Sequence, residues 1–227
     1  MSGESTTTTI AVDEAHRVSG VLIAPPKAHA CYVLAHGAGA GMNHPFMQAV
    51  AVELSQRGIA TLRYQFPFME DGKKRPDSPK LAHATVRAAV AEAARLLPKV
   101  PLVAGGKSFG GRMTSQAQAA APLADVRGLA FLGFPLHPPG AASDERAAHL
   151  ADVRVPMIFL QGSRDEFADL DLLQPLVKRL GARASLRLFD DADHSFHVPA
   201  RTGKKDPEVR REVLDALATW IDEVALA

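Results

Sequence analysis

Residues 101–113 read Pro-Leu-Val-Ala-Gly-Gly-Lys-Ser-Phe-Gly-Gly-Arg-Met, and this stretch decides the fold. Its apolar opening, Pro101–Ala104, predicts a very short buried strand, and Arg112–Ala120 beyond the glycines predicts a helix. Gly106, Ser108 and Gly110 satisfy Gly-x-Ser-x-Gly, the pattern of a serine exposed on an abrupt strand-to-helix turn. Small neighbours are needed there because a bulky side chain beside the bend would clash with the adjoining strand and helix. The helix that follows aims unpaired amides and its positive dipole end at whatever reacts at the serine. The competing reading is a glycine-rich turn whose serine only caps the helix.

Two other readings fail on spacing. Gly106-Lys107-Ser108 resembles the end of a phosphate-binding loop, but the glycine required five residues earlier is Pro101. Gly37-Ala38-Gly39-Ala40-Gly41 imitates a dinucleotide fingerprint, yet its sixth position is Met42, and the next strand ends near Arg63 and Tyr64 without an acidic residue for a ribose.

Working outward, short apolar runs alternate with longer segments of helical period, which predicts an α/β domain with a mostly parallel sheet. Thr7–Val12 and Arg17–Ile23 form an opening hairpin, and Cys31–Ala35, Ile59–Tyr64, Val126–Leu132, Val155–Leu160 and Ala184–Phe189 are the further strands. Helices are expected over Asn43–Arg57, Leu81–Leu97, Asp171–Leu180 and Pro207–Val224. Pro45 in the first turn and Gly58 past the last mark the ends of the first of these. Gln65–Pro79 reads as a loop, and Gly133–Arg154 as a loop with one short helix, too little for a lid domain. Residues 1–8 are expected to be a flexible tail, and 9–227 a single domain.

Bulk properties narrow the function classes. Of 227 residues, 47% are apolar and 22% charged, and 26 basic against 25 acidic side chains leave a net charge of +1. That balance supplies no field for nucleic acid or an anionic membrane. Lys73-Lys74-Arg75 reads as a solvated loop. The lone Cys31 rules out an intrachain disulfide and is expected in the core. Met1–Thr9 lacks the basic and apolar regions of a secretory signal, so a reducing, cytoplasmic setting is expected.

A nucleophilic serine requires a histidine base and a carboxylate that orients it. Asp165 follows Val155–Leu160, His194 follows the last strand, and both loops leave the same sheet edge as Ser108, in the order serine, acid, histidine. Glu166 and Asp169 are the alternative acids and His197 the alternative base, while Asp190, Asp191 and Asp193 read as turn residues. The oxyanion would be met by the backbone amide of Phe109 and by one from His36-Gly37-Ala38-Gly39, with Ala38 favoured over Gly39. His36 reads as a hydrogen-bonded scaffold residue. The histidines show no metal-ligand spacing, and no metal or cofactor is expected.

These segments also carry a resemblance. His36–Met42, Gly105–Arg112, Phe134–His137, Gly162–Glu166 and Asp193–Ser195 resemble α/β-hydrolases of the broad dienelactone-hydrolase-like group. Within it they are most similar to small bacterial relatives of testis-expressed protein thirty and of the third subunit of the NSL chromatin complex. The resemblance implies an α/β-hydrolase fold with helices on both sheet faces and no substantial lid, and Ser108, Asp165 and His194 as its triad. Dienelactone hydrolases carry cysteine as nucleophile where this chain has Ser108, so their substrate is not carried over.

The expected function is hydrolysis of an ester or related acyl bond in a small-molecule substrate. Phe66, Phe68, Phe134 and His137 lie on loops placed to wall the pocket. Two alternatives share the fold: a scaffold without turnover, disfavoured because it has no need of the three residues, and a serine peptidase on short peptides.

Overall fold

The computed structural model describes residues 3–226. β1 (Glu4–Ala11) and β2 (Arg17–Ala24) pair antiparallel, and β2 pairs antiparallel with β4 (Ile59–Tyr64). The remaining strands are parallel: β3 (Ala30–Ala35), β5 (Leu102–Lys107), β6 (Val126–Leu132), β7 (Met157–Gly162) and β8 (Ala184–Phe189). Their order in one eight-stranded sheet is β1-β2-β4-β3-β5-β6-β7-β8. This is the α/β-hydrolase arrangement expected from the sequence, without a lid domain.

Central strands are buried on both faces, which is why they read as continuous apolar runs. Cys31, Val33 and Ala35 of β3 face one core, with Val86 and Val90 of α3 (Pro79–Leu96), Met113 of α4 (Phe109–Ala120) and Leu173 of α5 (Leu170–Leu180). Ala30, Tyr32 and Leu34 face the other, with Val50 and Leu54 of α1 (Pro45–Gln56) and Val213 and Leu217 of α6 (Asp206–Leu226). The alternation along β3 follows from the two-residue period of a strand.

Several boundaries differ from the sequence reading, each for a physical reason. The expected tail is corrected: Glu4–Thr8 pair with Gly20–Ala24, and Thr8 Oγ1 donates to Glu92 Oε1 of α3 at 2.6 Å. Met1 and Ser2 lie outside the described residues. The loop Gln65–Pro79 contains a single helical turn, α2 (Pro67–Glu70), started by Pro67. In Gly133–Arg154 the helical piece is a 3₁₀ helix over Glu145–Asp152.

The largest shift matters most for the site. β5 does not stop at Ala104 but continues through Gly105, Gly106 and Lys107. Glycine is normally depleted in strands. Here nothing else fits: a Cβ on Gly105 would overlap the Ala130 carbonyl of β6, and one on Gly106 the Ala35 carbonyl of β3. The strand therefore delivers Ser108 to the carboxyl edge of the sheet with no intervening loop.

Candidate active site

Ser108 sits between β5 and α4 with φ +49° and ψ −116°, outside the regions open to most L-residues. Its N–H donates to Leu132 O at 3.2 Å, and its carbonyl accepts from Arg112 N at 3.1 Å, so the bend is held from both sides. The Ser108 side chain makes no cap to the helix, which removes the reading of a simple capping serine.

Asp165 lies just beyond β7 with its side chain fully buried. Its carboxylate accepts from Gln161 Nε2 at 2.5 Å, from Phe167 N at 2.9 Å, and from His194 Nδ1 at 2.7 Å. Three donors compensate the burial of this charge. The bond to the carboxylate assigns the His194 proton to Nδ1 and leaves Nε2 as the basic nitrogen. Phe167 packs on the imidazole, with ring centroids 4.4 Å apart. The alternative acids lie elsewhere: Glu166 is exposed, and Asp169 caps α5 by accepting from Asp171 N. His197 is exposed and pairs with Asp206, while Asp193 accepts from Ser195 N and His197 N as a turn residue.

Ser108 and His194 line one cavity of about 450 Å³, walled on its apolar side by Phe46, Met47 and Phe167. No hydrogen bond joins Ser108 to His194 among the described residues; such bonds tighten when substrate binds. Ala38 and Gly39 line the same cavity, and Phe109 opens α4 beside it. Neither the Ala38 nor the Phe109 amide donates to a protein acceptor among the described residues. Both are thus available to a substrate oxygen.

His36 fixes the loop that carries Ala38. Its Nδ1 donates to Gly37 O at 2.7 Å and its Nε2 accepts from Phe66 N at 3.0 Å. Burial lowers its pKa to about 4, so the ring stays neutral and both bonds keep their sense. It is a scaffold residue, as the sequence suggested.

A scan against protein families matches the chain to the alpha/beta hydrolase domain over residues 28–222. The chain belongs to the alpha/beta hydrolase family. Solved structures of the same fold include a dienelactone hydrolase from Anabaena variabilis, 20% identical, with a TM-score of 0.78 and 98% of each chain covered. A lidless α/β serine hydrolase from Xanthomonas campestris is 20% identical, with a TM-score of 0.73, and covers 96% of this chain and 95% of its own. The esterase domain of a Rhodothermus marinus protein is 16% identical, with a TM-score of 0.70, over 98% of this chain and 99% of its own.

Within this hydrolase fold the pocket wall departs from expectation. Phe66, Phe68 and Phe134 are fully buried in the core, where Phe66 and Phe68 stack on one another and Phe134 packs edge-on against Phe131. His137 is buried too, its Nδ1 donating to Pro138 O and its Nε2 accepting from Asp169 N. The aromatic wall is instead Phe46, inside the expected first helix, and Phe167, directly after Gly162–Glu166.

Lys107 and Gln161 are the site residues that the sequence reading missed. Lys107 Nζ donates to the His194 carbonyl at 2.6 Å and lies 5.8 Å from the centroid of the Phe196 ring. Desolvation lowers its pKa to about 8 against the opposing pull of Asp165 and Asp193. Gln161 accepts from Phe134 N through Oε1 while its Nε2 holds Asp165. Among the described residues no three His, Cys, Asp or Glu side chains converge to hold a metal ion, and no helix is long and apolar enough to cross a membrane.

Proposed function

We propose that this chain is a serine hydrolase cleaving a carboxylic ester or related acyl bond of a small molecule through an acyl-enzyme. The observation that carries the reading is the buried Asp165–His194 bond together with Ser108, whose backbone is strained and which lines the same cavity as His194. In this reading His194 Nε2 takes the Ser108 proton as Oγ attacks the acyl carbon. Asp165 stabilises the imidazolium, and the Ala38 and Phe109 amides receive the oxyanion. The imidazolium then protonates the leaving alkoxide. Water deprotonated by His194 attacks the acyl-enzyme, and the acid product leaves with Ser108 reprotonated.

Within the family, the segments around His36, Ser108, Asp165 and His194 support kinship with the bacterial relatives of testis-expressed protein thirty. The single, buried Cys31 supports a reducing cytoplasm as its setting.

A fluorophosphonate probe and a short-chain aryl ester panel test the activity. Labelling at Ser108, lost in Ser108→Ala, with ester turnover is the expected result. Absence of both labelling and turnover overturns it, and labelling that survives Ser108→Ala overturns the choice of nucleophile.

A further inference from the structure

Ser108 borders a second cavity, of about 350 Å³, whose lining does not include His194. Its charged lining comes from three elements: Arg112 on α4, Arg146 on the 3₁₀ helix, and Asp77 in the loop before α3. We propose that this cavity is an anionic subsite, in which Arg112 and Arg146 receive a carboxylate carried by the substrate. The proposal rests on the serine-esterase reading and names the substrate class for that site.

The first support is that neither guanidinium has a carboxylate partner among the described residues, although that of Arg112 lies over the Phe109 ring at 5.9 Å from its centroid. Arg57, Arg179, Arg201 and Arg210 each hold a carboxylate. Arg112 and Arg146 have none within 4.0 Å among the described residues, although they lie beside one another. The Arg112 Nε is buried and has no hydrogen-bond acceptor at all. A buried, charged donor left unmet is destabilising, and two like charges facing one cavity add to that. An arriving carboxylate relieves both, because its two oxygens match the guanidinium fork.

The neighbouring histidine leaves the positive charge to the two arginines. His149 accepts from or donates to Ser115 on the neighbouring turn, and burial together with Arg112 lowers its pKa to about 4, so it adds no charge at neutral pH. Asp77 is the one opposing carboxylate lining the cavity, and its Oδ2 is occupied by Phe68 N at 2.9 Å. Two arginines against one aspartate leave a single net positive charge. That matches a monoanionic carboxylate better than a phosphate dianion.

The two cavities meet at Ser108 and differ in character. The first is walled by Phe46, Met47 and Phe167; the second shares Phe167 with it and has Phe109, Met113 and three prolines in its wall, but adds the two arginines, which the first lacks. An ester spanning the nucleophile would therefore lay an apolar arm in the first and a carboxylate in the second.

Matched ester pairs test this on the full-length protein. One pair carries the difference on the acyl side (a monoaryl glutarate against the aryl pentanoate), and the other on the alcohol side (a carboxyphenyl butyrate against the phenyl ester). The expected result is at least about tenfold higher kcat/KM for the carboxylate member of one pair, the size of one charge-assisted bond. That preference should collapse in Arg146→Gln and in Arg112→Gln and be partly kept in Arg112→Lys. If Arg112→Gln does not fold, Arg146→Gln carries the test alone. Neutral esters preferred in both pairs, or a preference that survives both glutamine variants, overturns the subsite. A phosphate-bearing ester outperforming both carboxylates overturns the carboxylate assignment. Fluorophosphonate labelling of Ser108 separates the failures: labelling without charge preference sinks only the subsite, whereas neither labelling nor turnover of any ester sinks the parent reading and this one with it.

Discussion

Lys107 donates its Nζ to the backbone carbonyl of His194 at 2.6 Å, so the residue that precedes the serine on β5 holds the loop that carries the histidine. The contact joins positions far apart in the chain and fixes the distance between two strand ends independently of any substrate. Burying an ammonium is costly, as the lowering of its pKa to about 8 by desolvation records. Replacing it by methionine keeps the bulk and removes both the cost and the tether. We expect Lys107→Met to lower kcat by about 10-fold or more with little change in KM, while the Tm holds. Steady-state kinetics and a thermal melt on one preparation check the split; a fall in Tm with unchanged kcat would assign Lys107 to the fold alone.

Asp165 accepts three hydrogen bonds, and one of them sets the His194 tautomer. In Asp165→Asn the amide can present an N–H to Nδ1, which drives the proton to Nε2 and removes the base. Ester turnover should fall about 10³- to 10⁴-fold, with the protein still folded by circular dichroism. A loss below about 10-fold would return the role to another carboxylate.

Gly105 runs against the Ala130 carbonyl with φ +153°. Alanine there must push β5 away from β6. A loss of at least about 3 kcal/mol is expected, lowering the Tm by about 10 °C. Gly39, whose added Cβ would meet nothing within 4 Å, is the contrast. Gly39→Ala should melt within about 2 °C of the parent protein.

Acid should weaken the fold through buried histidines. His36 and His149 are both lowered from 6.5 to about 4, chiefly by burial. Above about pH 6.5 they are neutral in the folded and unfolded chain, and stability does not depend on them. As pH falls from 6.5 toward 4, the unfolded chain binds protons that the folded chain refuses, so stability is lost across that window. For the more deeply buried His36 the loss reaches on the order of 3 kcal/mol by pH 4. Urea midpoints measured at intervals from pH 7 to pH 4 should hold to about pH 6.5 and decline below it, and a flat profile down to pH 4.5 would refute it.

The fold was legible because its strands are buried on both faces and Pro45 and Gly58 bracket α1, whereas the Ser78 cap starts α3 two residues before the expected Leu81. The positions of Ser108, Asp165 and His194 at strand ends were legible for the same reason, since parallel strands deliver their following residues to one edge. Lys107 was not, because its partner is a main-chain carbonyl that no sequence pattern marks. Gln161 directly follows the expected strand Val155–Leu160, β7 runs on through it, and its value arises only when the β6 and β7 ends come together. The aromatic loop residues misled because Phe66, Phe68 and Phe134 carry the same apolar signal whether they line a cavity or fill a core. Gly105 and Gly106 look like loop until the neighbouring strands are in place.

The Gln161 amide has a directional consequence. Phe134 N–H can be met only by an oxygen, so Oε1 must face it and Nε2 must face Asp165. A glutamate in its place would set one carboxylate against another, and the two would have to share a proton before His194 could be held. The neutral amide of Gln161 thus keeps Asp165 from becoming half of an acid pair, and the Phe134 N–H on a different loop fixes which end of that amide Asp165 meets.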